Sequence, residues 1–171
     1  METLPASARR VAEAARSLGL DIRIRIMTET TRTAAEAAAA CGTTAAQIVK
    51  SLIFEGKESG RPFLLLVSGR NRVDEKAVGA RLGEKLGRPD ARRVREITGY
   101  AIGGIPPIGH TSGLAAYIDP DLLEFETVWA AAGTPNAIFE IAPGKLAAAA
   151  RAQTLPMGGQ GVTGRRSAPP E

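Results

Sequence analysis

The chain has 171 residues, of which 44% are hydrophobic and 4% aromatic, with one cysteine and a formal net charge of +4. The length and hydrophobic content suit one domain with a sizeable core. The few aromatic residues disfavour base-stacking RNA-binding sheets. The mild positive charge permits a nucleic-acid partner but does not predict a DNA-coating surface, so we expect no DNA partner. One cysteine excludes an intramolecular disulfide, and since no signal core or membrane-length apolar run is present, we expect a soluble, cytoplasmic protein without membrane contact.

The N-terminal part of the sequence predicts a helix, then a strand, then two further helices. Apolar residues recur at helical spacing from Ser7 to Leu18, and isoleucines then alternate with arginines over residues 22–26, which is typical of a strand. Thr33 to Glu36 matches a capping box that begins an alanine-rich helix ending at Gly42. Residues 44–47 repeat this signature and predict a further short helix.

Two strands are predicted next. In the first, from Ile48 to Phe54, Lys50 is the only charged residue on its face. The second, from Pro62 to Ser68, is continuously apolar, which predicts burial on both faces and a central place in the sheet.

The second half of the chain mixes helices and strands. The predicted elements are helices 74–82 and 90–98, a strand at 114–118, a helical turn from Asp119, paired strands at 128–132 and 137–141, and a helix from Pro143 to about Arg151. No regular βαβ alternation is present, so a single α+β domain with a mixed sheet is predicted over residues 1–153. Residues 154–171 are rich in Gly, Pro, Arg, Ser and Gln and predict a disordered tail.

The segment from Gly103 to His110 combines glycines with two adjacent prolines. Proline fixes φ and glycine lets backbone N–H groups approach a ligand closely, so the segment predicts a rigid loop with exposed donors that could face an oxyanion. It matches neither a Walker A motif nor a dinucleotide fingerprint, because it lacks the lysine signature and follows a helix. A purely structural turn is the alternative.

Three polar residues are further candidates. A lysine on an apolar strand face is costly unless its ammonium meets water or an acceptor, so Lys50 is either a site residue or reaches the rim of the sheet. Asp119 could neutralise Lys50 or contact a substrate, or it could simply cap the helical turn. His110, the sole histidine, lies in no recognisable catalytic triad and is assigned to loop support or substrate contact. No cluster of metal ligands is evident, so we expect neither a metal nor a cofactor.

Four ordered blocks carry a family resemblance, namely residues 47–54, 67–74, 99–110 and 129–135. Together they resemble the YbaK/ProX aminoacyl-tRNA deacylases, which are related to the editing domain of bacterial prolyl-tRNA synthetase, over roughly Arg9 to Ala150. The resemblance implies a curved, open-barrel-like mixed sheet flanked by helices. It also implies trans-editing: hydrolysis of the ester of mischarged tRNA, usually proline tRNA carrying Ala, Ser, Cys or 2-aminobutyrate, with prolyl-tRNA synthetase as a candidate partner.

The resemblance also implies a set of site residues. Lys50 occupies the family's essential lysine position, and with the loop amides of Gly103 and Gly104 it is expected to be catalytic. The substrate-binding residues that follow from the resemblance are Ile105, Pro106, Pro107, Gly109, His110, Asp119, Gly133 and Thr134. Two alternatives stay open: a noncatalytic tRNA- or synthetase-binding module of the same fold, and a hydrolase of another small acyl ester.

Overall fold

The computed structural model describes residues 3–28 and 33–158. Within these ranges the α-helices are Ala6–Ser17 (α1), Ala34–Cys41 (α2), Glu75–Leu82 (α3), Ala91–Thr98 (α4) and Pro143–Ala150 (α5), with single 3-10 turns at Ala45–Gln47 and Pro120–Glu124. Of the described helices, none combines the length and apolarity that crossing a membrane requires.

The strands form two sheets. They are Ile24–Ile26 (β1), Val49–Gly56 (β2), Pro62–Ser68 (β3), Leu86–Gly87 (β4), Ala115–Ile118 (β5), Val128–Ala131 (β6), Ala137–Ile141 (β7) and Gln153–Thr154 (β8). One sheet is antiparallel in the order β1-β7-β6, and the other has the order β4-β2-β3-β5-β8 with parallel pairing of β3 with β5 and of β5 with β8. The predicted mixed α+β domain is confirmed.

Local side-chain contacts explain where the helices begin. At the start of α2 the Thr33 hydroxyl accepts from the Glu36 N–H and the Glu36 carboxylate accepts from the Thr33 N–H, which is the predicted capping box. Asp74 and Asp90 accept from backbone N–H groups in the first turns of α3 and α4. The repeated signature at Thr44 produces only one 3-10 turn, because its side chain accepts no backbone hydrogen bond there.

Strand β3 lies at the centre of the larger sheet and is buried on both faces, as its continuous apolar run predicts. Leu64 and Leu66 join a core that residues of both sheets and of α1, α4 and α5 share. Leu65 and Val67 pack on the opposite face with Val78 of α3. Burial of both faces therefore anchors β3, and through its seven-residue register with β2 it also positions Lys50.

Among the residues that the structure describes, one isolated bridge joins the two sheets. The bridge pairs Ile48, just before β2, with Trp129 of β6 in parallel orientation. Beyond it, β2 is not paired with β6 and joins β4 only at Glu55 and Gly56. The curved mixed-sheet fold that the resemblance implies is built from two hydrogen-bonded sheets, which this bridge joins and which leave β2 and β6 otherwise unpaired in the described residues.

The end of the described chain is part of the fold. Gln153–Thr154 forms β8, the Met157 carbonyl accepts from the Asp74 N–H at 2.8 Å, and the Met157 side chain is buried. The folded unit therefore extends to Gly158, so the predicted start of the tail at residue 154 is too early. The rest of the predicted tail, residues 159–171, lies outside the described residues.

Candidate active site

A cleft of about 460 Å³ opens where the two sheets diverge. One wall is formed by Ile48 and by β2 as far as Phe54, and the other by β6 from Trp129 to Ala131. The lining also includes residues of α2, the Arg88–Pro89 segment and the loop residues Ile102, Gly103 and Ile105. The volume lies within the range of about 300–1,000 Å³ that is usual for small-ligand sites.

Both walls of the cleft present strand edges. The Ile48 carbonyl accepts from the β3 side, from Gly69, and the Gly56 N–H donates to the Arg61 carbonyl on the same side. Because hydrogen-bonded pairs alternate along an antiparallel ladder, the main-chain groups of Ser51 point away from β3, toward the gap.

The same alternation applies to β6. The Ala132 N–H donates to the Ala137 carbonyl at 2.8 Å, so Ala130 also directs its main-chain groups toward β7. Those of Trp129 and Ala131 point to the other side, where Trp129 forms the bridge to β2. The cleft is therefore bordered by N–H and C=O groups from two strands, although most of its side chains are apolar.

Lys50 lines the cleft and is half-buried. Its ammonium donates to the main-chain carbonyl of Asn71 at 2.5 Å. Burial lowers the pKa of Lys50, the nearby Arg72 guanidinium lowers it further, and the Asp119 carboxylate raises it. The predicted site lysine is thus held by an acceptor inside the protein, and its proton is easier to remove than that of an ordinary lysine.

Asp119 is buried behind the lysine and does not line the cleft. Its carboxylate accepts from the Ser68 N–H at 3.0 Å, from the Asn71 side-chain amide at 2.9 Å and from the Asp121 N–H at 2.9 Å. The last contact caps the Pro120–Glu124 turn, so Asp119 serves as an N-cap and also affects Lys50 electrostatically.

Asn71 is a site residue that sequence reasoning missed. Its carbonyl holds the Lys50 ammonium, and its side-chain amide donates both to Asp119 and to the Asp121 carboxylate, the latter at 2.7 Å. It is 8% exposed although it lies in a turn, where polar residues are usually solvated. The available signal was its place in the turn directly after the buried strand β3.

The first half of the glycine-proline loop faces the cleft. Gly103, with φ of 104°, and Ile105 line it. Gly104 does not: its N–H donates to the Ala101 carbonyl at 3.2 Å within a turn, and its carbonyl accepts from the Gly133 N–H at 2.9 Å. The predicted donor at Gly104 is therefore occupied in this structure, and Gly103 is the glycine of the pair that lies at the cleft.

The Gly133–Thr134 turn packs behind this loop and does not line the cleft. A Cβ added at Gly104 would lie 2.7 Å from the Thr134 Cα, a distance that real Cβ atoms do not adopt. Only glycine therefore permits this backbone contact. The Gly133–Thr134 turn therefore supports the loop through its contacts with Gly104.

The second half of the loop does not line the large cleft. Pro107, Gly109 and His110 line a separate cavity of about 140 Å³, and Pro106 is buried and lines neither cavity. The His110 Nε2 is 2.7 Å from the Pro106 carbonyl oxygen, and burial lowers the pKa of His110, although this hydrogen bond raises it. Of the two roles predicted for His110, this geometry matches loop support.

Arginines stand at the rim of the cleft. Arg88 lies over the Phe54 ring at 5.5 Å and pairs with Glu75, while Arg25 lies over Trp129 at 5.0 Å. No group of three or more His, Cys, Asp or Glu side chains within residues 3–28 and 33–158 could hold a metal. The cleft thus offers a bound lysine, strand-edge main-chain groups and two arginines that lie over aromatic rings of its lining.

Comparison with known proteins gives concordant results. The sequence profile of the aminoacyl-tRNA editing domain family matches residues 28–149. The protein YwhH of Bacillus subtilis (strain 168) is 33% identical over 114 residues, covering 67% of this chain and 72% of that protein.

Two crystal structures extend the match to nearly the whole chain. One, described as a candidate trans-editing enzyme for prolyl tRNA synthetase, is 44% identical with a TM-score of 0.87 and covers 92% of this chain and 100% of its own. The other, hypothetical protein APE2540, is 32% identical with a TM-score of 0.80 and covers 86% of this chain and 97% of its own.

Proposed function

Because the chain belongs to the aminoacyl-tRNA editing domain family, we propose that it is a freestanding deacylase that hydrolyses the ester of mischarged tRNA. The proposed client is proline tRNA carrying Ala, Ser, Cys or 2-aminobutyrate. The client is suggested by the 44% identical relative, which is described as a candidate trans-editing enzyme for prolyl tRNA synthetase. Prolyl-tRNA synthetase is accordingly the proposed protein partner, and cytoplasm the proposed location.

The observation that carries this proposal is the convergence of Lys50 and Gly103 on one cleft of about 460 Å³. In the proposed reaction water attacks the ester carbonyl, and the oxyanion that forms is stabilised by the Lys50 ammonium and the Gly103 N–H. Collapse of the intermediate breaks the bond to the ribose oxygen, which takes up a proton and leaves a free amino acid and uncharged tRNA. An aminoacyl ester is already reactive, so oxyanion stabilisation and placement of water suffice.

The other predicted residues have supporting roles in this proposal. Ile105 forms part of the apolar wall of the cleft. Gly104 fixes the position of Gly103 by its close contact with Thr134. The remaining substrate-binding assignments are proposed to act by holding the loop or the lysine rather than by contact, and they comprise Pro106, Pro107, Gly109, His110, Asp119, Gly133 and Thr134.

Size is the proposed filter. In this proposal the part of the cleft that receives the side chain is large enough for a small side chain and too small for the ring of a correctly attached proline. Such a cleft separates substrates that differ by one methylene by only about 1–3 kcal/mol, which is why errors between similar small amino acids require a second selection step.

The test is hydrolysis of five esters of the same proline tRNA, charged with Ala, Ser, Cys, 2-aminobutyrate or Pro. We expect release of at least one small amino acid and little release of proline. Lys50→Ala should reduce kcat/KM by about 100-fold or more, the usual effect of losing one oxyanion donor. Lys57→Ala is the matched control, because Lys57 is an exposed lysine directly after β2.

Three other outcomes of this test would lead to different conclusions. Binding of tRNA without hydrolysis of any ester supports a noncatalytic module of the same fold. Hydrolysis of small thioesters or free acyl nucleotides without tRNA supports a different acyl hydrolase. Equal activity of the wild type and the Lys50→Ala variant refutes the role of Lys50 but leaves the activity standing.

A further inference from the structure

Ser51 places an unusual polar atom in the wall of the cleft. The residue lies in β2 and lines the cleft. Its hydroxyl oxygen is buried and, alone among the buried side-chain N and O atoms of the described residues, has no hydrogen-bond partner. An unpaired buried hydroxyl destabilises a protein, and such atoms are rare in native structures. The hydroxyl therefore needs a partner that the described part of the chain does not supply.

The main chain of the same residue is also directed into the gap. By the alternation along the β2–β3 ladder, the Ser51 N–H and C=O point away from β3, in the interval between the bridge at Ile48 and the pairing with β4 at Glu55. Ser51 thus brings two oxygen acceptors, the hydroxyl and the carbonyl, to a wall that is otherwise largely apolar.

Donors and acceptors are separated across β2. Successive side chains of a strand lie on opposite faces, so Lys50 and Ser51 project to different sides. The Lys50 ammonium is bonded to the Asn71 carbonyl on its own side. A ligand that reaches both residues therefore meets a cationic donor on one face, the Ser51 hydroxyl on the other, and the Ser51 carbonyl at the strand edge between them.

We propose that Ser51 binds the α-amino group of the aminoacyl ester, with its main-chain carbonyl and, after rotation about χ1, with its hydroxyl. This inference rests on the proposed deacylase function. The α-amino group is the hydrogen-bond donor that every aminoacyl ester carries on the carbon next to the scissile carbonyl, whereas the side chain of alanine offers no donor. Ser51 thereby orients the ester carbonyl toward Lys50 and Gly103.

The experiment compares two esters of the same proline tRNA, alanyl and propionyl, which differ only in the α-amino group. The full chain is assayed as wild type, Ser51→Ala and Ser59→Ala. We expect Ser51→Ala to lower kcat/KM for the alanyl ester about tenfold, as for loss of one hydrogen bond, and to leave the propionyl ester unchanged. Taking the ratio of variant to wild type for each ester cancels their different intrinsic reactivity.

The control serine is in the turn between β2 and β3. The Ser59 hydroxyl already donates to Glu84 at 2.7 Å. Ser59→Ala is therefore expected to leave both esters unaffected. A similar loss in this variant would show that the effect on the alanyl ester is not particular to Ser51 and would overturn the inference.

The melting temperature provides a second readout. Ser51→Ala removes an unpaired hydroxyl, so the melting temperature should stay the same or rise. A clear fall would show that the hydroxyl has a partner inside the protein, which contradicts the premise.

The outcomes separate this inference from the proposed function. If the wild type hydrolyses none of the alanyl, seryl, cysteinyl and 2-aminobutyryl esters of the same tRNA, the deacylase proposal fails. If the wild type is active but Ser51→Ala affects alanyl and propionyl esters equally, or neither, only the assignment of Ser51 fails. A loss confined to the seryl ester would show that the hydroxyl contacts the substrate side chain, which also overturns the α-amino assignment.

Discussion

The two halves of the loop from Gly103 to His110 contribute in different ways. Gly103 and Ile105 line the large cleft together with Lys50, whereas Pro107 to His110 surround a smaller cavity beside α5. The ring of His110 is bonded to the loop's own Pro106 carbonyl. One glycine-proline motif therefore lines a cleft with one half and holds its own conformation with the other.

Gly104→Ala should displace the half of the loop that lines the cleft, and we expect it to have the largest effect on activity. The added Cβ would lie 2.7 Å from the Thr134 Cα, so either the loop or the turn must move. We expect kcat/KM for alanyl-tRNA to fall about 100-fold, since a displacement near 1 Å can have that effect, and the free energy of unfolding to fall by about 1–3 kcal/mol. Deacylation kinetics and urea unfolding measure the two quantities.

Gly113→Ala is the matched control for this substitution. A Cβ added at Gly113 meets no atom within 4 Å, and its φ is not in the left-handed region. We expect wild-type activity and stability. If Gly104→Ala behaves like Gly113→Ala, the contact with Thr134 does not position the loop.

Asn71→Ala tests whether the cleft depends on the network behind Lys50. The substitution removes the amide that donates to Asp119 and Asp121, so two carboxylates lose a shared donor, one of them buried. We expect kcat to fall about tenfold with little change in KM, because the lysine is misplaced while the cleft walls remain. Single-turnover deacylation measures this, and a higher KM with unchanged kcat would contradict the positioning role.

His110→Gln should change stability more than activity, because His110 belongs to the half of the loop that does not line the large cleft. We expect a loss of about 1 kcal/mol in the free energy of unfolding, from the hydrogen bond to Pro106, with kcat/KM nearly unchanged. A large loss of kcat/KM in a well-folded variant would assign His110 to the catalytic half instead.

His110 also predicts a pH dependence of stability. Burial lowers the pKa of His110 in the folded state below its ordinary value. The unfolded chain then binds more protons, so this contribution to stability is present above about pH 6.5 and is lost as pH falls toward the lowered pKa. Melting temperatures of the wild type should decrease with acidification over this range, and those of His110→Gln should decrease less.

Arg72→Gln is expected to have the smallest effect. The Arg72 guanidinium helps to lower the pKa of Lys50, so its removal should raise that pKa. If the ammonium is the active form, activity declines as pH rises through the pKa of Lys50, and the variant should retain activity to a higher pH. A pH–rate profile, corrected for spontaneous ester hydrolysis, measures the shift. Arg70→Gln is the control, and a shift toward lower pH would contradict this account.

Local signals in the sequence predicted most of the elements. The capping residues Thr33, Asp74 and Asp90 begin helices as expected, and Pro62–Ser68 is the central buried strand. These predictions succeed because caps and apolar runs act within a few residues of the chain. The short helix expected after Thr44 is present as a 3-10 turn. The ordered segment at Met157 was misjudged, because it depends on contacts outside its own segment, such as the hydrogen bond from the Asp74 N–H.

The α+β class, the family, and the choice of Lys50 and Gly103 as candidates could be inferred from the amino-acid sequence, since they follow from patterns and motifs that lie contiguously in the chain. The folded structure was needed to find that the cleft lies between two strand edges, that Asn71 holds the lysine, and that Ser51 carries an unpaired hydroxyl. Hydrogen-bond partners and sheet edges arise from residues far apart in the chain, and composition does not specify which of them meet.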